Sequence, residues 1–155
     1  MSSNKNNKAV AEAAKIISMD CLATRTRLIN RTLTSIYDEA LRPLGLTSNQ
    51  LTILVVIANR GTISPTEIAL LLNMDKSTVS RNVGRMQKSD WLIIEQVESG
   101  KGQRLALNSR GRTLIQKSLP LWEQAQSQAR NVLGQQGANS IRSIGNAVFS
   151  QLGTE

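Results

Sequence analysis

Residues 64–107 read SPTEIALLLNMDKSTVSRNVGRMQKSDWLIIEQVESGKGQRLAL, and this stretch decides the fold. It opens on Ser64-Pro65-Thr66-Glu67. Ser64 is suited to the N-cap and Pro65 to the first helical position, where its missing amide costs nothing. Glu67 lies three residues after the cap and closes a capping box. This helix is expected to reach about Leu72. Asn73-Met74 makes a tight turn, and Asp75 is placed to cap a further helix from Lys76 to about Ser89. Val79, Val83 and Met86 form one apolar stripe on that helix. Leu92 to Val97 and Gln103 to Leu107 then read as strands, joined by the turn Glu98-Ser99-Gly100-Lys101-Gly102. A short helix, a tight turn, an amphipathic helix and a two-stranded hairpin are, in that order, a helix-turn-helix with a wing.

The second helix carries the chemistry of a major-groove reader. From Lys76 to Ser89 there are four basic residues and no acid. Its exposed positions are expected to be Lys76, Ser77, Thr78, Ser80, Arg81, Asn82, Arg85 and Lys88. Arginine pairs with guanine through two hydrogen bonds and asparagine with adenine, while Ser and Thr reach phosphates or bases. Ser77, Thr78, Arg81 and Asn82 are assigned to base or near-base contact, and Arg85 and Lys88, later in the helix, to phosphate contacts or salt bridges. Ser64 and Thr66 sit at the start of the preceding helix and join the candidate DNA-binding set. Ser99 to Trp122 repeats the bias, with Lys101, Arg104, Arg110, Arg112 and Lys117 and again no acid. Gly100 and Gly102 free the turn for Lys101 to reach out, and Arg104 is assigned with it to DNA.

Outward from this core the chain reads as helical. Residues 1–8 are rich in Ser, Asn and Lys and are expected to be a disordered tail. From about Ala9 to Leu41 the pattern is helical, with a break near Met19 to Asp20, and Arg42-Pro43-Leu44-Gly45 stops it. Thr47 or Ser48 caps the next helix, which runs to about Asn59, and Ile63 is expected to start a very short strand. Asn108 or Ser109 starts a long helix with Pro120 as a candidate kink. Gly134 to Gly137 breaks it before a last helix bearing Ile141, Ile144, Val148 and Leu152. The expected class is mainly α with a small β-hairpin wing. The expected division is a tail (1–8), a helical dimerisation region (9–46 and 108–155) and a DNA-binding region (47–107).

Composition bounds the function. The 155-residue chain is 40% hydrophobic but only 3% aromatic, so aliphatic side chains must build the core, as packed helices do. Its net charge is +8, an excess that a polyanionic partner accounts for. The chain has no histidine. That removes Ser-His-Asp and Cys-His catalysis, His-ligated zinc and histidine pH sensing. Phosphate-binding glycine loops and paired-carboxylate motifs are missing too, so no enzyme, metal site or cofactor is expected. One cysteine, Cys21, allows no internal disulfide and fits a reducing compartment. Met1 to Val10 lacks the apolar centre of a signal peptide, and the longest apolar run, Ile53 to Ala58, is too short to span a bilayer. A cytoplasmic protein without a membrane partner is expected.

Several of these motifs resemble the MarR (multiple antibiotic resistance regulator) family. Leu41-Arg42-Pro43-Leu44-Gly45-Leu46-Thr47 with Gln50 and Leu54 carries the likeness first. Pro65-Thr66-Glu67-Ile68-Ala69 with Leu72 follows, then Lys76-Ser77-Thr78-Val79-Ser80-Arg81 with Val83 and Met86, then Leu105 to Gly111. The resemblance covers roughly Cys21 to Leu133. It implies a homodimer held by the terminal helices, two winged lobes on a near-palindromic operator, and a repressor released by a small molecule or an oxidant. It also implies a ligand pocket between the wing lobe and the dimer helices, toward which Arg25, Ile29 and Tyr37 are assigned. Where the family's wing tip carries an Asp-Arg pair, this chain has Gly100-Lys101. Asp90-Trp91 stands where the family has a glycine, and Asp tolerates the left-handed turn better than most residues.

Two residue-level readings stay open beside this one. Cys21 is either a redox trigger, with Arg25 one turn on, or a small buried apolar residue near the dimer interface. Trp91 and Trp122 are read as packing residues. A winged helix used on an acidic protein rather than on DNA is the competing function, but it needs an apolar face that the helix from Lys76 lacks.

Overall fold

Two helices of the central region each start where a side chain satisfies a first free amide. The computed structural model describes residues 2–96 and 102–151. Thr47 caps helix α3 (Ser48–Arg60): its hydroxyl accepts from the Gln50 amide, and the Gln50 side chain accepts from the Thr47 amide at 3.0 Å. Ser64 caps α4 (Pro65–Leu71) in the same reciprocal way with Glu67, at 3.2 and 2.8 Å. Asp75 occupies the cap position of α5 (Lys76–Lys88), but its side chain makes no cap bond. Its carbonyl oxygen instead accepts the Thr78 and Val79 amides, while the carboxylate stays in solvent.

Ahead of these lie α1 (Ser2–Asp20), α2 (Leu22–Leu41) and a 3-10 turn over Arg42–Leu44, which ends on Gly45 in the left-handed conformation. The break between α1 and α2 falls at Cys21, just past its expected place. The expected disordered tail over 1–8 is corrected: helix begins at Ser2. Polarity alone does not stop a helix, and Ser2 to Asp20 contains no Pro or Gly to do so.

After α5 the chain turns through Asp90, which holds a positive φ of 57°, into β1 (Leu92–Gln96) and β2 (Gln103–Leu107). The strands pair antiparallel, with Leu92 opposite Leu107 and Gln96 opposite Gln103. Ile63 adds a one-residue bridge to Leu105. The final helix, α6 (Ser109–Gln151), runs through Pro120 and departs from helical geometry at Gly134, where φ is 68° and ψ is 165°. Val97, the turn residues to Lys101, and Leu152 lie outside the described residues.

Contacts divide the chain into two compact units, Met1–Ser35 and Ile36–Glu155. In the first, Val10, Ile16, Ile17, Leu22 and Leu28 are exposed. The second holds the core: Leu41, Leu46, Ile53, Leu54, Ile57, Ile68, Val79, Met86 and Leu105 are essentially removed from solvent. Each such aliphatic side chain contributes about 1.5–3 kcal/mol on burial. Gly111, Ser118, Ala125 and Ala129 form the buried stripe of α6, small residues that permit close approach. Among the described residues no single helix is long and apolar enough to cross a membrane.

Candidate nucleic-acid interface

Helix α4, the turn through Asn73 and helix α5 form the helix-turn-helix. Asn73 takes the left-handed conformation at φ 48°, and the Met74 amide closes the turn on the Ala69 carbonyl at 2.9 Å. Val79, Val83 and Met86 anchor α5 in the core, which fixes the face it shows to solvent. Lys76, Ser77, Ser80, Arg81, Arg85 and Lys88 are exposed there, and Thr78 is half-buried at the edge. No acid interrupts this face within α5. The Arg81 guanidinium lies along the helix and donates to the Thr78 hydroxyl at 3.1 Å.

Asn82 corrects the sequence reading. Expected on the exposed face, it is 9% exposed, and its side-chain amide donates to the Thr78 carbonyl at 2.9 Å. Val79, Asn82, Val83 and Met86 are the i, i+3, i+4 and i+7 positions of one helical face, so Asn82 is turned inward with them. That spacing was visible in the sequence. The residue's chemical suitability for adenine obscured it.

The other assigned residues are spread over the surrounding elements. Ser64 uses its hydroxyl on the Glu67 amide, and Thr66 is exposed on α4. Arg104 projects from β2 and donates to the Thr62 carbonyl at 2.9 Å, with Glu67 3.7 Å away. Hydrogen bonds from the Ser64 side chain and amide, reinforced by Arg104 and Arg60, hold the Glu67 carboxyl below the ordinary carboxylate range. Lys101 lies outside the described residues. Arg60 escaped the sequence reading. With Lys76 and Arg104 it rims a concavity of about 800 Å³ floored by Ile63, Ala69 and Met74. Only the packing of α3 and α4 against β2 brings these cations together. At the far end of α5, Asp90 pairs with Arg110 at 3.2 Å and accepts from Asn108.

A second cavity, of about 650 Å³, opens beside α3 and α6. Tyr37, Leu41, Leu51, Val55, Leu119 and Trp122 supply apolar walls, and Ser48, Thr52, Gln116 and Ser118 supply neutral polar atoms. Among the described residues no charged side chain lines it. Burial pushes the Tyr37 hydroxyl above its ordinary range, against the opposing field of Arg130. Of the three residues assigned to a ligand pocket, Tyr37 is here. Arg25 and Ile29 belong to the first unit, where Arg25 donates to the Met19 and Cys21 carbonyls and Ile29 is exposed. Cys21 is half-exposed at the helix break. Hydrogen bonds from Thr24, aided by Ala23 and Arg25, lower its thiol pKa. Among the described residues, no group of acidic, Cys or His side chains could hold a metal ion.

Residues 44–104 match the model of the MarR family. The transcriptional regulator MosR of M. tuberculosis in complex with DNA aligns over 84% of this chain and 98% of its own, with 28% identity and a TM-score of 0.70. Over residues 44–104 the chain is similar to the MarR family.

Two further MarR-like structures share the fold. A MarR mutant from E. coli bound to operator DNA has a TM-score of 0.74 at 18% identity, covering 85% of this chain and 96% of its own. BpsR of Bordetella bronchiseptica, whose DNA binding is regulated by 6-hydroxynicotinic acid, has a TM-score of 0.72 at 17% identity, covering 84% and 95%. Comparison with curated proteins by sequence gives no match. The MarR match begins just before α3 and ends within β2, so it spans the winged helix-turn-helix described above. MarR-family members are transcriptional regulators rather than enzymes.

Proposed function

We propose that this DNA-binding regulator acts as a homodimeric repressor on a near-palindromic operator and is released from it by a small molecule. The observation that carries the DNA reading is the acid-free, exposed face of α5 above a fully anchored inner face. Ser77, Thr78 and Arg81 read base edges from the start of the helix, and Lys76, Ser80, Arg85 and Lys88 serve phosphates, with Thr66 and Lys101 at the margins. A twofold dimer presents two such helices about 34 Å apart, one turn of duplex. The exposed Val10, Ile16 and Ile17 of α1 and Ile144 and Val148 of α6 are apolar surface that a second copy would cover.

The effector reading rests on the cavity beside α3 and α6. Its size suits a small ligand. Its walls carry no charge, which favours an uncharged, largely apolar molecule with one hydrogen-bonding group, since a buried carboxylate would lack a counter-charge there. Cys21 supports a second trigger, because its thiol is half-exposed and its pKa is lowered by Thr24. Selection of bound sequences from random duplex DNA tests the function directly. A palindromic consensus with two protomers per duplex is expected, and indifference to every duplex at low salt would end the proposal. Loss of operator binding after peroxide, restored by a thiol reductant and absent in Cys21→Ser, would favour the redox trigger over the ligand.

A further inference from the structure

We propose that Arg104 is a positioning residue that fastens the wing to the helix-turn-helix through Glu67 and Thr62, and is not itself a DNA contact. The proposal rests on the DNA-binding reading above and revises one of its residues. Three observations meet at this point. One arm of the Arg104 guanidinium donates to the Thr62 carbonyl at 2.9 Å, bridging residues 42 apart in the chain. The other arm lies 3.7 Å from a Glu67 carboxylate oxygen, and that same oxygen accepts the Ser64 amide at 2.8 Å. Next to Arg104 on the strand, Leu105 exchanges two backbone hydrogen bonds with Ile63, at 3.1 and 2.8 Å.

Arg104 therefore sits beside the main-chain bonds that tie the hairpin to Ile63, just ahead of the Ser64 cap of α4. Glu67 is held in place twice. It closes the capping box of α4, and Arg60 adds positive charge from the end of α3. Glu95, opposite Arg104 across the hairpin, is exposed and makes no ion pair with it among the described residues. The guanidinium spends a hydrogen bond on the Thr62 carbonyl and faces its nearest counter-charge, Glu67, within its own chain, and a planar fork oriented in this way sets direction better than a flexible ammonium does. The planar arginine thus sets the angle at which β1 and β2 leave the helix-turn-helix.

The sign of one substitution decides between positioning and contact. Glu67→Gln keeps the capping box, because glutamine serves at that position as well as glutamate. It removes the charge that Arg104 faces. If Arg104 positions the wing, Glu67→Gln and Arg104→Gln each weaken affinity for the selected duplex by about two- to fivefold, as expected for a half-exposed pair, and the double variant is no worse than either. The dependence of affinity on salt keeps its slope. If Arg104 instead grips a phosphate, Arg104→Gln flattens that slope by about one unit, while Glu67→Gln binds as well or more tightly because an anion near the duplex has gone. That pattern overturns the proposal. Amide hydrogen exchange at Ile63 and Leu105 gives a second reading without DNA. Exchange faster in both variants supports the fastening, and unchanged exchange refutes it. Should the wild-type chain bind no duplex, the DNA reading fails while the exchange measurement still decides the role of Arg104.

Discussion

The main chain of Gly111, in the first turn of α6, lies against the carbonyl oxygen of Trp91, so close that a β-carbon on residue 111 would overlap it. The contact joins the start of the long helix to the turn that follows α5. Around it, the Asn108 side chain accepts the Gly111 amide at 2.9 Å and donates to Asp90, while the Asn108 amide donates to the same Trp91 oxygen. Gly111→Ala is therefore expected to destabilise the fold by about 1–3 kcal/mol, the usual cost of forcing an extra carbon into a packed site. Thermal unfolding reads this directly, and a melting temperature equal to wild type would refute the overlap.

Arg81 and Asn82 are neighbours in sequence with opposite expected effects on DNA. Arg81→Ala should cost about 1–3 kcal/mol of discrimination between the operator and a variant altered at the base it reads. Asn82→Ala should leave that discrimination unchanged, since its amide is spent on the Thr78 carbonyl inside the protein. Competition binding against single-base operator variants separates the two. Selectivity lost in Asn82→Ala would return that residue to the reading face.

Lys76 stands at the exposed start of α5, and the proposed interface gives it a phosphate rather than a base. Lys76→Ala should weaken specific and non-specific duplex binding alike. It should also reduce the slope of log affinity against log salt by about one. The same titration on a random duplex is the control: a slope unaltered on both sequences would take Lys76 out of the interface.

Glu67 sets a pH dependence with a definite sign. Its folded-state pKa lies below the unfolded value because Ser64, Arg104 and Arg60 favour the carboxylate. The stability it contributes is thus fully present above the unfolded value and is lost as the pH falls through the folded one. Glu67→Gln should be less stable than wild type at neutral pH and should converge with it in acid. Melting curves from neutral to acid pH test this, and a constant gap between the two proteins would exclude the carboxylate as its source.

Much of the fold was legible because the deciding interactions are local. Ser64 with Glu67, Thr47 with Gln50, the left-handed Asp90 and the break at Gly134 each involve residues within a few positions of one another. Such signals act before any tertiary contact forms. Residues 2–8 are the exception: their composition argues for disorder, yet nothing in the stretch breaks the helix that α1 continues through them.

By itself the chain's order of residues determined a helix-turn-helix, a hairpin and a cationic outward face, since spacing, caps and charge are properties of short segments. Tertiary structure alone decided that Arg104 meets Thr62 across 42 residues. It alone brought Tyr37, Val55 and Trp122 around one uncharged cavity. The physical reason is that burial and long-range pairing depend on which faces of separate helices and strands meet, and that is fixed only when the whole core packs.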